Sequence, residues 1–468
     1  MLSRFKKQAV EKWTELIHDG PRLETPNKES ITMTYGRQKF LLSVDIAKFI
    51  KDYFRLKPNQ QEDFKEKFIE ELRTRINKIY PGKSIASLEL NECSFVEHET
   101  TAPSTSKEVA ETNRNHHDPT IILDGKLYKY TSGIDPSGFF YGRGESNPYS
   151  GCYRRRILPE DITINCSSWL HPDNEIHKHW GGVVCEPYAS WLASWKDPVS
   201  NKLKYIFIPK NTELNQENDK QKYDAAFDLS RRIEEIRTDY WRILTETDND
   251  SKLVHIAMVL YLVDHFSIRI GNPAEQRTFG ACTLRKNHIK LLNGYHVQFD
   301  FPGKDSVRYC RTHELDPVIY NHLKFLLREH TKSYIDFRIF HLCNPGDINK
   351  YLQGFGDFSI KSFRTMNACL ICNSMLQRDI IEMTIKEKLA HYNKACSYVA
   401  EVCNHQRKSP HGTLTYSVAT GKGNYIDPRI VVSFCKRNGL SVGQCYSKAL
   451  LEKNSWAIDE KSPWDVYY

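Results

Sequence analysis

The sequence predicts an α+β protein of several domains, on three observations. Its 468 residues exceed what one hydrophobic core comfortably organises, so about two to four domains are expected. Composition is that of an ordinary globular protein, with 40% hydrophobic, 26% charged and 12% aromatic residues. Stretches of helical periodicity are interleaved with short alternating runs, so neither class dominates throughout.

Ile46, Phe49, Ile50, Tyr53 and Phe54 recur at helical spacing and lay one apolar face on a helix over 43–54, with Ser43 as N-cap. A second helix is expected from Glu62 to Ile79. From Glu97 to Thr120 the chain is polar and without apolar period, and reads as loop. Strand-like runs follow at Thr120 to Leu123, Leu127 to Tyr130 and Lys204 to Ile208. A long helix is expected over 219–244 and another over 252–270. The latter is apolar nearly all round, as a central helix is. Gly271-Asn272 reads as its C-cap, putting Arg269 in the last turn. Segments 283–291, 295–301 and 306–310 alternate as a small antiparallel sheet, with Pro302-Gly303-Lys304-Asp305 as the turn joining the last two. A mostly helical stretch opens at Phe363-Arg364 and runs to Val402. Residues 408–424 read as loop, and Pro428 fits the first turn of a closing helix.

Lys+Arg 66 against Asp+Glu 58 gives a mild +8, compatible with a basic groove but not proof of one. Neither a signal peptide nor a membrane span is evident, so the expectation is a soluble intracellular protein. Thirteen cysteines are then expected as reduced thiols. Cys369-Leu370-Ile371-Cys372 has zinc-like spacing, but its apolar filling and helical context favour buried thiols.

Five side chains carry the chemistry, in the strings Ser267-Ile268-Arg269-Ile270-Gly271-Asn272, Phe301-Pro302-Gly303-Lys304-Asp305-Ser306, Phe363-Arg364-Thr365-Met366-Asn367, Cys403-Asn404-His405-Gln406-Arg407 and Asn424-Tyr425-Ile426-Asp427-Pro428-Arg429. Two arginines, a lysine and a histidine around a tyrosine equip a chain to attack a phosphodiester without metal or nucleotide. Guanidinium forks offer paired donors to phosphate oxygens as charge builds in the transition state, which suits Arg269 and Arg364. His405 adds a ring N–H donor. Tyr425 is the candidate nucleophile, a phenol that cations turn towards phenolate. Lys304 can protonate the leaving 5′ oxygen as general acid. Taken singly, each has an ordinary reading: one tyrosine among 25, a helix-end cation, a structural ion pair, a solvated turn lysine, a core histidine.

These contexts resemble the eukaryotic type IB DNA topoisomerase family. Lys12-Trp13-Thr14-Glu15-Leu16, Gly142-Arg143-Gly144, Arg155-Arg156-Ile157-Leu158-Pro159-Glu160-Asp161-Ile162 and Trp456-Ala457-Ile458-Asp459 extend the likeness over nearly the whole chain. The resemblance implies a multidomain clamp: an α+β N-terminal cap embracing DNA (1–200), a mainly helical catalytic domain with a small sheet (201–410), and a small helical C-terminal domain bearing Tyr425 (411–468). It implies relaxation of both signs of supercoil through a 3′-phosphotyrosyl intermediate, on double-stranded DNA, by a monomer with no cofactor and no membrane partner. Nuclear residence is expected from the substrate alone, with a viral or otherwise compact origin as the alternative. Arg143 between glycines reads as a minor-groove contact, and Arg154, Arg155 and Arg156 as phosphate contacts, although a solvated charge cluster is their bland reading. Asp305, Thr420, Lys422 and Asn424 match positions of the family's motifs and are assigned to DNA contact.

Three departures stand out. The chain is expected to lack the family's charged N-terminal tail. Only 406–424 separate His405 from Tyr425, without heptads, so no coiled-coil linker is expected and rotation should be less braked. Gly421 and Gly423 lie in the segment before Tyr425 and are expected to leave it mobile. The nearest rival is a site-specific tyrosine recombinase, which shares much of the catalytic set. A non-catalytic DNA-binding protein finds no support, since all five positions hold the right residue. A metal-dependent nuclease would need a carboxylate cluster that the sequence lacks.

Overall fold

Alternating strands and two amphipathic helices build the first part of the chain around small sheets. The computed structural model describes residues 11–24, 29–82, 85, 88–99, 119–130, 133–141, 147–167, 179–246, 251–273, 277–304, 307–329, 338–404, 406–408 and 414–467. Two units emerge, residues 1–142 with 147–214, and residues 143–146 with 215–468.

In the first unit the strands begin with β1 (Leu16–His18), β2 (Glu29–Tyr35) and β3 (Gln38–Leu42), followed by helices α1 (Val44–Phe54) and α2 (Pro58–Ile79) and by β4 (Cys93–Glu99). The antiparallel order is β3-β2-β4. Of the apolar face read from the sequence, α1 buries Ile46, Phe49, Ile50 and Tyr53 and leaves Phe54 exposed: Phe49 stacks on Phe68 of α2 at 4.9 Å, and Tyr53 on the same ring at 3.8 Å. A second core lies between two further sheets. β5 (Thr120–Leu123) and β6 (Lys126–Lys129) join β1. After the short β7 (Gly138–Phe139) and β8 (Tyr153–Arg154) come β9 (Ile162–Asn165), β10 (Gly182–Val184), β11 (Trp191–Lys196) and β12 (Leu203–Phe207), in the order β10-β9-β11-β12, with β9 and β10 parallel. Trp13, Leu16, Ile162, Ile164 and Leu192 fill this core.

The second unit is mainly helical. α3 (Glu213–Glu246) begins at its edge, and α4 (Lys252–Phe266) runs through its middle, buried from Val254 to Asp264. The antiparallel sheet β13 (Ile289–Leu291), β14 (His296–Pro302) and β15 (Arg308–Glu314) follows. Next come α5 (Pro317–Glu329), α6 (Pro345–Leu352), α7 (Ile360–Leu376) and α8 (Ile385–Val402). The pair β16 (Gln406–Lys408) and β17 (Leu414–Tyr416) leads into α9 (Val418–Asn424), α10 (Pro428–Arg437), α11 (Val442–Cys445) and α12 (Lys448–Lys453). α7 belongs to two cores at once. Ile360, Phe363 and Met366 pack with α4 and the sheet, while Ala368, Cys369, Cys372 and Leu376 pack with α8 and α10.

Several expectations are corrected here. The helix expected to 270 stops at Phe266, and its C-cap is Ser267 in the left-handed region at φ 50°, so Arg269 lies beyond the helix. The carbonyls of the last turn find partners from α7 instead of further helix. The helix expected from 219 starts at Glu213. Strand structure in 283–291 is limited to 289–291, because the segment before it pairs elsewhere: Ile339 donates to the Leu284 carbonyl at 2.8 Å. Residues 408–424 are not simply loop, since they include β17 and α9. Two glycines argue against a helix by propensity. Packing decides otherwise, because Gly421 is buried with the Val399 side chain 3.8 Å and the Cys396 carbonyl 3.9 Å from where its Cβ would stand. The 97–120 loop gives way to β4 as far as Glu99, and 100–118 lie outside the described residues.

Candidate active site

α9 ends at Tyr425, whose N–H donates to the Gly421 carbonyl at 3.1 Å. The half-buried ring faces α7, with the Arg364 guanidinium carbon 5.4 Å from its centroid and a hydrogen bond from Arg364 to the phenol. Arg364 is 6% exposed. Its Nη1 donates to the Ser267 carbonyl, and its Nη2 to the Cys403 carbonyl at 2.9 Å. Two backbone segments thus fix the plane of the guanidinium. Burial lowers its proton affinity, opposed by Cys403 and Tyr425, but a guanidinium starts so high that it stays charged.

Arg269 comes from the segment after Ser267. Ala281 N–H donates to the Arg269 carbonyl and Cys282 N–H to the Ile270 carbonyl, both at 2.8 Å. Only glycine fits this crossing at Gly280, where a Cβ would stand 2.2 Å from the Arg269 carbonyl oxygen. Burial raises the Tyr425 phenol, yet the charges of Arg364 and Arg269 and the Arg364 hydrogen bond outweigh it and hold it below its usual value. The structure therefore brings Arg269, Arg364 and Tyr425 together around an ionisable oxygen.

Lys304 stands exposed at the β14–β15 hairpin tip, which Gly303 N–H closes onto the Val307 carbonyl at 2.7 Å. The contacts that join Arg269, Arg364 and Tyr425 do not include it. His405, Arg143 and Asp305 lie outside the described residues. Thr420 meets Ser417 through their hydroxyls at 3.1 Å, and the exposed Asn424 reaches back to the Thr420 carbonyl at 3.4 Å. Lys422 donates to Asn393 at 2.9 Å with its ammonium 4.2 Å from the Tyr392 ring centre. In the first unit Arg155 forks onto Asp161 at 2.6 and 2.8 Å. Arg154 pairs with Asp135 at 3.2 Å, and Arg156 donates to the Glu24 carbonyl at 3.4 Å. These three arginines therefore already have partners within their own unit.

Other residues hold the Tyr425 segment, and sequence reasoning missed them. The Cys369 thiol donates to the Tyr425 carbonyl and accepts from Asp427 N–H, both at 3.3 Å. Lys453 of α12 donates to the Gly423 carbonyl at the end of α9 and pairs with Asp219 of α3 at 3.0 Å. Asp427, fully buried, caps α10 and gathers Arg429 and the Trp464 indole N–H, the latter at 2.9 Å. None carries a local sequence signal beyond Asp427 preceding Pro428.

The eukaryotic DNA topoisomerase I catalytic core matches residues 211–421, its DNA-binding fragment residues 11–208, and the C-terminal topoisomerase domain residues 400–466. The chain belongs to the eukaryotic DNA topoisomerase I family. It is thus a topoisomerase, with a DNA-binding region ahead of its catalytic core. It is 27% identical to DNA topoisomerase 1 of Mus musculus over 96% of this chain and 71% of the relative. It is 26% identical to DNA topoisomerase 1 alpha of Arabidopsis thaliana over 96% and 59%, and 36% identical to DNA topoisomerase 1 of Schizosaccharomyces pombe over 61% and 35%. The span aligned with the mouse topoisomerase covers 558 positions, more than the 468 residues of this chain, so the relative carries extra residues within it. Among the described residues, no helix is long and apolar enough to cross a membrane.

Proposed function

We propose that this topoisomerase relaxes positively and negatively supercoiled double-stranded DNA by transient cleavage of one strand, without ATP or metal. The observation that carries the reading is a half-buried tyrosine whose phenol is pulled towards ionisation by two arginines. Such preorganised cations also stabilise the charge that develops on a five-coordinate phosphorus.

In this reading Tyr425 gives up its phenol proton to solvent, and the phenolate oxygen attacks phosphorus to form a 3′-phosphotyrosyl ester. The bond from phosphorus to the 5′ oxygen breaks, and Lys304 delivers a proton to the departing oxygen. Arg269, Arg364 and His405 donate to the non-bridging oxygens. Rotation follows, and the 5′ hydroxyl then attacks the phosphotyrosine and returns the proton, so resealing draws on the energy kept in the ester. The domain reading is an N-terminal cap over 1–200, a catalytic domain over 201–410 and a C-terminal domain from 411, embracing DNA as a monomeric clamp. Arg143, Asp305, Thr420, Lys422 and Asn424 face DNA in this reading. Arg154, Arg155 and Arg156 would have to exchange their present carboxylate and carbonyl partners for phosphate. Nuclear residence follows from the substrate.

The test is relaxation of both signs of plasmid supercoil in EDTA without ATP, wild type beside Tyr425→Phe. Relaxation by wild type only, with protein trapped on a 3′ end, is the expected result. A requirement for magnesium or nucleotide, or full activity of Tyr425→Phe, overturns the proposal.

A further inference from the structure

Both arginines that face Tyr425 depend on one backbone turn. α4 ends at Ser267, whose left-handed conformation (φ 50°, ψ 27°) is unfavourable for a residue with a side chain. That turn does two things. It directs the Ser267 carbonyl to Arg364 Nη1, and it launches Arg269 towards the same phenol. A turn with an intrinsic cost persists only when its surroundings hold it.

What holds it comes from α7. Asn367, one turn beyond Arg364 on the same helix, donates its amide to the Asp264 carbonyl at 2.6 Å and to the Ser267 hydroxyl at 3.4 Å. The Asp264 carbonyl belongs to the last turn of α4, where intrahelical donors run out. The Asp264 side chain is itself fully buried, gripped by Arg237 at 2.9 and 3.1 Å and by the Tyr240 hydroxyl at 3.1 Å. α4's end is therefore anchored on one side by α3 and on the other by Asn367, and Asn367 shares a helix with the arginine that reads the turn.

We propose that Asn367 is a positioning residue for catalysis: by closing the end of α4 in its left-handed turn, it fixes Arg269 and Arg364 relative to each other and to Tyr425. This rests on the reading of Arg269, Arg364 and Tyr425 as the reacting site. Asn367 touches neither the phenol nor a phosphate and acts only through the two arginines. Among the described residues, the ionisable groups bearing on the phenol are Arg364 from α7, Arg269 from the segment after α4, and the Cys403 thiol at the end of α8. Loosening the turn moves the arginines and leaves the thiol, so the phenol loses part of the attraction that favours phenolate.

The experiment measures single-turnover cleavage of an oligonucleotide duplex against pH for wild type, Asn367→Ala, Asn367→Asp and Tyr425→Phe, with duplex affinity at fixed salt and thermal unfolding alongside. Asn367→Asp keeps the size but has no N–H to donate, so it serves if the alanine variant unfolds. The expected result is a cleavage rate lower on the order of 10–100-fold, unchanged duplex affinity, and a rate-against-pH curve displaced to higher pH. Adding Ser267→Gly should restore part of the rate, because glycine adopts the left-handed turn without being held. If both Asn367 variants lower the unfolding temperature but keep the wild-type pH curve, Asn367 is only a tie between helices and the inference fails. If Tyr425→Phe still cleaves, the site reading itself falls, and that outcome is separate from any result at Asn367.

Discussion

Replacing Asp427 by alanine should cut the Tyr425 segment loose from the C-terminal core. Asp427 is 0% exposed and accepts five hydrogen bonds from four donors: the Arg429 backbone N–H at 2.9 Å, Arg429 Nε at 3.1 Å to each oxygen, Arg429 Nη2 at 2.8 Å, and Trp464 Nε1 at 2.9 Å. Loss of the N-cap alone costs about 1 kcal/mol. Breaking a buried ion pair from one side costs about 3–5 kcal/mol, and a stranded indole N–H about 1–3 kcal/mol. These overlap, and Arg429 keeps Asp224 at 2.7 Å, a carboxylate 45% exposed, so the lower half of the range applies. A loss of about 4 kcal/mol is close to a thousandfold in the local opening equilibrium. Hydrogen exchange of the amides of α10 under native conditions reads that equilibrium directly, without assuming that a chain of two units unfolds in one step. Asp427→Asn keeps an oxygen for the cap and should lie between wild type and alanine. Exchange of these amides within tenfold of wild type in the alanine variant would refute the argument that this carboxylate organises the segment.

Three further outcomes are expected. Arg364→Gln removes the cation that most favours the phenolate; cleavage should fall on the order of 100–1,000-fold, and its dependence on pH should move upward, since less attraction means a higher phenol pKa. Lys453→Met removes an ammonium from the end of α9 and from Asp219; about 1 kcal/mol of local stability is at stake, seen as faster amide exchange at Tyr425 and Ile426, with Lys453→Arg close to wild type. Burial first, then Arg285 or Arg311, pushes His288 and His313 down to about 4. The unfolded chain then binds more protons below its own histidine pKa, so stability present above about pH 6.5 is lost as pH falls towards 4, at about 1.4 kcal/mol per pH unit for each imidazole. Thermal unfolding from pH 7.5 to 4.5 should show this slope, and the double variant His288→Gln with His313→Gln should flatten it.

Arg269, Arg364 and Tyr425 could be singled out from the sequence because their residue types suit phosphoryl chemistry, and the structure brings these three together; Lys304 stands apart from them, and His405 lies outside the described residues. The helix at 44–54 and the hairpin carrying Lys304 were legible too, since periodicity of 3.6 or 2 and a Pro-Gly turn are local properties. The end of α4 was not. Gly271-Asn272 is the better stop signal by composition, but Ser267 wins because Arg364 and Asn367, 97 and 100 residues away, take up its carbonyl and hydroxyl. α9 was missed for a similar reason: two glycines oppose a helix in isolation, and the packing of its buried face against α8 is invisible in one dimension.

By itself, then, the sequence determined the chemistry available, the family resemblance and the elements whose pattern is local. Tertiary structure alone decided which atoms hold the candidate site: the Ser267 and Cys403 carbonyls on Arg364, the Cys369 thiol and Lys453 on the Tyr425 segment, and Asn367 at the end of α4. The physical reason is that a hydrogen bond between groups far apart in the chain leaves no periodic trace. Its energy depends on where the rest of the fold has already put the two partners.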